Sequence, residues 1–202
     1  MARYLTLLLA FVLIACNNGS APEHSILPTD CTLREGDVVF RRGSGMTSRV
    51  VIAADRIGDY SHVGIVVDSA GVKMIVHAVP GEPDFEGDID RVKMDKPEQF
   101  FSSVNANHGE VRRHHDSIAA RKAAQIAVDI YRRGTPFDHD YDDQDTTKMY
   151  CTELVTFSYA QAGVPFINME YEHVDFLMLH ADCILPAALQ ESKQLYPVAV
   201  FP

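Results

Sequence analysis

Two runs rich in Val and Ile, residues 62–68 and 72–79, flank the tripeptide Ser69-Ala70-Gly71, and no other feature limits the architecture so tightly. β-Branched side chains fit the pleated surface of a strand, and a short glycine-containing turn between two such runs joins them antiparallel. The segment is read as a β-hairpin, and the domain as one built on an antiparallel sheet. His62 heads the first strand and His77 lies near the end of the second. A loop of two or four residues sets these histidines opposite one another on one face, where one ring can orient the other. A three-residue loop through Gly71 would slide the register by one position and separate them.

The flanking sequence supplies the rest of an α+β domain. Val38-Val39-Phe40 follows Gly36-Asp37 and is read as a core strand, with a helix over 43–55 after it. Residues 80–107 are mixed, with a strand expected over 89–94, and a further strand is expected over 110–114. His114-His115-Asp116 is read as a strand end and a helix cap: Asp116 opens a helix in which Ala119, Ala123, Ile126, Ala127 and Ile130 recur at helical spacing. Gly134 and Pro136 close it. Another helix is expected from Cys151 to about residue 162, and a terminal strand over 197–201.

At the N-terminus Arg3 precedes an apolar run over 5–15 that is too short to span a bilayer stably, which reads as an export signal. Leu13-Ile14-Ala15-Cys16 resembles the lipobox of bacterial lipoproteins, which implies cleavage before Cys16 and diacylation of its sulfur. Asn17 after it resembles outer-membrane retention, where the host has such a membrane. The expected segments are a signal over 1–15, a lipidated Cys16 with a flexible tether over 16–32, and one folded domain over 33–202. With 28 acidic against 18 basic residues and a formal charge of −10, the chain lacks the footprint of a nucleic-acid binder. The membrane link is then the N-terminal lipid alone. Cys31 and Cys183 either pair in an oxidising compartment or remain two buried thiols.

Cys151 opens a helix, where unpaired backbone amides and the positive dipole end are expected to lower its thiol pKa. The acidic run at 138–145 alternates as in a calcium loop, but Asp143 stands where the loop needs glycine and Met149 where it needs glutamate. It is read as a solvated loop beside the cleft, able to attract a substrate amine, and no metal or other cofactor is expected.

Gly36-Asp37-Val38-Val39-Phe40, Tyr60-Ser61-His62-Val63-Gly64-Ile65-Val66, Gly134-Thr135-Pro136-Phe137-Asp138 and Tyr150-Cys151-Thr152-Glu153-Leu154-Val155 occur in an order that resembles the YiiX/YebB-like permuted papain-fold amidases, relatives of the NlpC-type cell-wall peptidases. That resemblance implies a circularly permuted papain-like α+β fold, an antiparallel sheet packed against helices with the nucleophile at a helix N-terminus. It implies Cys151 as nucleophile, His62 as base and position 77 as orienter, with His77 where many relatives carry Glu. The oxyanion would be held by the Cys151 amide and a second donor, for which Tyr60 is the candidate. Glu153 is a further candidate, bonding backbone near the site. The substrate expected is an amide of peptidoglycan stem peptides. Acyl transfer or lipid hydrolysis of the lecithin-retinol acyltransferase-like type is the alternative, and an inactive binding module the third reading.

Overall fold

The computed structural model describes residues 24–55, 58–176 and 179–202. The expected export signal, Cys16 and the first part of the expected tether lie outside the described residues. Strands β1 (Val38–Arg42), β2 (His62–Ser69), β3 (Val72–Val79), β4 (Arg91–Asp95), β5 (His108–His114) and β8 (Leu195–Phe201) form one antiparallel sheet in the order β4-β3-β2-β1-β5-β8. Helices α1 (Met46–Ala54), α2 (Pro97–Phe100), α3 (Ser117–Arg132), α4 (Cys151–Gln161) and α5 (Pro186–Gln190) complete the domain, with a separate hairpin of β6 (Glu172–Phe176) and β7 (Leu179–Cys183).

Alternation in the strands gives the sheet two apolar faces. Val63, Ile65 and Val67 of β2 point into the main core, where they meet Ala123, Ala127, Leu154 and Val155 of α3 and α4. Val66 points the other way, into a smaller cluster with Val39, Ile75, Phe100, Phe101 and Phe201. Both faces are thus buried, which explains why β2 is almost continuously apolar. Helix α3 lies close to the sheet because it buries a stripe of alanines, and Asp116 caps it by accepting from the amides of Ile118 (2.9 Å) and Ala119 (3.0 Å). Gly36, at φ +86°, sits under that helix, where a Cβ would lie 2.5 Å from the Ala120 carbonyl group.

The hairpin turn has two residues, Ala70 (φ 54°) and Gly71 (φ 84°), the left-handed pair of a type I′ turn. Its register pairs Ser69 with Val72 and Ile65 with Val76, which carries on to set Gly64, not His62, opposite His77. The expected direct pairing of the histidines is therefore corrected by two positions. Because the shift is even, both remain on one face.

Two other expectations change. Residues 24–32 are not a free tether: Ser25 bridges Ser102, the Ile26 amide donates to the Phe101 carbonyl at 2.9 Å, and Ile26, Leu27 and Cys31 cover the smaller apolar cluster. Cys31 and Cys183 are both free thiols, and they are not paired because they belong to different cores on opposite faces of the sheet.

Candidate active site

A cavity of about 320 Å³ opens at the start of β2. Arg41, Ser61, His62 and Glu82 line one side of it, and Tyr141, Tyr150, Cys151 and Cys183 the other. Cys151 is the first residue of α4, so its amide has no carbonyl partner within the helix. Its sulfur lies against the backbone of Val63 and 3.8 Å from the Thr152 hydroxyl. No direct hydrogen bond joins the sulfur to His62 in this resting arrangement of the described residues.

The thiol does not have the lowered pKa expected of a helix N-terminus. Burial pushes it up, and hydrogen bonds from Thr152 and from nearby backbone only partly offset this. His62 is shifted the other way: burial first, then the charges of Arg41 and His77, hold its imidazole well below the ordinary value. A buried site disfavours each charged form, so the resting pair is neutral thiol and neutral imidazole.

Three adjacent strands place three polar side chains in a chain of hydrogen bonds. His62 Nε2 on β2 lies 2.9 Å from His77 Nδ1 on β3, and His77 Nε2 lies 3.0 Å from Asp95 Oδ2 on β4. Both links run diagonally between strands. The first is possible because Gly64 leaves space beside His77: a Cβ at position 64 would stand 2.7 Å from Ile75 Cγ2 and 3.2 Å from His77 Cβ. Phe100 backs the assembly, its ring 5.1 Å from His77 and 5.7 Å from His62, with the Arg41 guanidinium 4.7 Å over its face. Burial pushes the His77 imidazole down, opposed by Asp95. For Asp95 burial would raise the carboxyl, but the hydrogen bond and charge of His77, with Lys93 and Arg41, bring it below its usual value.

The carboxylate therefore fixes the tautomers. An ionised Asp95 can only accept, so His77 Nε2 carries a proton and the neutral ring presents Nδ1 as acceptor. His62 Nε2 must then be the donor, which leaves the Nδ1 lone pair of His62 available to the cavity that holds Cys151. Asp95 was missed in the sequence because its link to His77 depends on the β3–β4 register, which no local pattern reveals.

Tyr60 and Glu153 do not reach the cavity wall. Tyr60 is packed in the core, stacked 5.5 Å from His108, with its hydroxyl bonded to Glu110. Glu153 is buried beneath the helix start, where Oε2 accepts the Tyr150 amide at 3.2 Å and Oε1 has no partner. Burial, joined by the charges of Asp138, Asp143 and Asp142, raises its carboxyl to about 8.

The acidic run is not simply a solvated loop. Asp138 is fully buried and accepts the amides of Asp140 (3.0 Å) and Asp142 (2.6 Å), while the Lys148 ammonium sits 3.5 Å from Asp138 and 2.7 Å from Asp140. A cation from the chain itself thus stands among these carboxylates. Among the described residues no group of three or more His, Cys, Asp or Glu side chains is arranged to hold a metal ion.

This site lies within a sequence that matches, over residues 32–199, the family described as permuted papain-like amidase enzyme, YaeF/YiiX, C92 family. The chain belongs to that family. It is accordingly a cysteine-type amide hydrolase with a permuted papain-like α+β fold. Among solved structures, the one titled "Crystal structure of metalloprotein yiiX from Escherichia coli O157:H7" is similar at 22% identity and a TM-score of 0.63. The match covers 82% of this chain and 96% of that one, and it shows a shared fold. Comparison with curated proteins returns no match.

Proposed function

We propose that this amidase cleaves peptide bonds of the bacterial cell wall from a lipid anchor at Cys16, with Cys151 as nucleophile, His62 as general base and His77 as its orienter. The reading is supported above all by the chain of hydrogen bonds from Asp95 through His77 to His62, which ends at the cavity shared with Cys151. The N-terminal lipobox supports the envelope location. Apposition of a substrate carbonyl brings the thiol proton to His62 Nδ1, and the sulfur attacks the carbonyl carbon. The imidazolium is stabilised by His77 and, one ring further, by Asp95. His62 then gives its proton to the leaving amine, and on the second half-reaction takes one from the water that hydrolyses the thioester.

Mass spectrometry of muropeptides and phospholipids incubated with wild type and with Cys151→Ala tests this function. Cleaved stem peptides with the wild type alone are the expected result. Release of fatty acid from phospholipid with intact muropeptides would replace the peptide substrate by an acyl ester.

A further inference from the structure

Beneath the cavity mouth, the Tyr141 ring is clamped between Phe137, 5.9 Å away and nearly perpendicular, and Tyr150, 5.3 Å away. Tyr150 immediately precedes Cys151. Tyr141 lines the same cavity as Cys151 and His62, and no hydrogen bond joins its hydroxyl to another of the described residues. Among the described residues it is not one of the buried polar atoms left without a partner, so it is open to the cavity and can donate to a group that enters there.

The backbone indicates how firmly it is held. Tyr141 has φ +56°, a left-handed conformation that is unusual and strained for a bulky aromatic residue. Such a residue persists only where its surroundings over-determine it. Here the Asp138 carboxylate accepts the amides on both sides of Tyr141, those of Asp140 and Asp142, and Lys148 ties Asp138 to Asp140. The acidic run therefore acts as a scaffold that turns one aromatic side chain into the cavity.

We infer that the Tyr141 hydroxyl is the second hydrogen-bond donor to the carbonyl oxygen of the substrate attacked by Cys151. The inference rests on the proposed nucleophilic role of that cysteine. As the Sγ–C bond forms, the carbonyl π pair moves onto oxygen, and Tyr141 donates a hydrogen bond to it beside the Cys151 amide while keeping its own proton. Collapse restores the carbonyl and breaks the bond to the leaving group, an amine protonated by His62 or an ester oxygen. Burial and then the charge of an ionised Cys151 raise the Tyr141 pKa above its ordinary value, so the hydroxyl stays protonated and lies within electrostatic reach of the sulfur. Tyr60, packed in the core, does not line the cavity where this donor is needed.

Two reagents separate this role from packing. Acetylation of Cys151 by 4-nitrophenyl acetate passes through an oxyanion, whereas alkylation by iodoacetamide is a direct displacement at saturated carbon and forms none. Tyr141→Phe keeps the ring and removes the donor. It should slow acetylation of Cys151 roughly a hundredfold, the effect of losing one oxyanion donor, while leaving alkylation essentially unchanged. Equal slowing of both reactions, or no slowing of acetylation, overturns the assignment. A wild-type protein that neither retains acetyl at Cys151 nor releases 4-nitrophenolate faster than Cys151→Ala overturns the nucleophile itself, and the donor role with it.

Discussion

Replacing Asp95 by Asn removes one negative charge from the far end of the hydrogen-bond chain while keeping an acceptor oxygen for His77. The carboxylate lies 3.0 Å from His77 Nε2, and the two imidazole centroids are 5.1 Å apart. The charge therefore sits about 8 Å from the centre of His62, where at an effective dielectric constant of about 20 it favours the imidazolium by about 2 kcal/mol. That corresponds to roughly 1.5 pH units in the formation of a thiolate-imidazolium pair. Iodoacetamide alkylation of Cys151, followed by mass spectrometry from about pH 5 to 10, reads this directly. Below the raised thiol pKa the variant should react about 30-fold more slowly than wild type, with its profile displaced to higher pH. The effect on stability has a definite sign. The folded-state pKa of Asp95 is depressed, so its contribution is present above the unfolded pKa and is lost as pH falls through the folded value. Melting curves of the two proteins should therefore converge in acid. An unchanged alkylation profile in a folded Asp95→Asn protein would show that the carboxylate does not act through His77.

Gly64→Ala should cost about 1–3 kcal/mol in stability, because the new Cβ meets Ile75 Cγ2 at 2.7 Å and the neighbouring strand must give way. Cys151 alkylation should fall further than the loss of melting temperature accounts for, since His77 is displaced from His62; proportionate losses would contradict this. Glu153→Gln should flatten the pH dependence of stability. The wild-type carboxyl is raised to about 8, so its contribution is complete below the unfolded pKa near 4.5 and is lost as pH rises through about 8, a change of a few kcal/mol. Parallel melting temperatures for the two proteins between those limits would refute the buried, protonated state.

Much of the fold is legible from local pattern. The β2–β3 hairpin, β1 and the alanine-faced α3 follow from β-branched runs, punctuation by glycine, and helical spacing behind an aspartate cap. Short elements such as α2, α5 and the β6–β7 hairpin leave no legible signal, because four or five residues carry too little periodicity to separate them from loop. In the site, the even parity of the hairpin keeps His62 and His77 on one face, but only the two-residue turn decides which residue stands opposite which. Asp95 and Tyr141 are recognisable only in three dimensions. One depends on the pairing of two strands separated by a long loop, and the other on a backbone conformation set by a buried carboxylate. The thiol pKa illustrates a different limit: the helix terminus is visible in sequence, whereas the burial that outweighs it is not.

The two connections within the His62–His77–Asp95 chain differ in length, and this divides where insertions are tolerated. Between His62 and His77 the strands meet through Ala70-Gly71 alone, so one added residue there alters the register that the turn dictates. Between His77 and Asp95 the long connection over 80–90 leaves alignment to the pairing of β3 with β4, with His77 beside Lys93 and Ile75 beside Asp95. Length variation in that connection can be absorbed away from the strands. Related chains that use the same hydrogen-bond chain should therefore hold the spacing of the two histidines constant while the aspartate drifts in sequence. A search for them by fixed spacing across all three residues would pass most of them over.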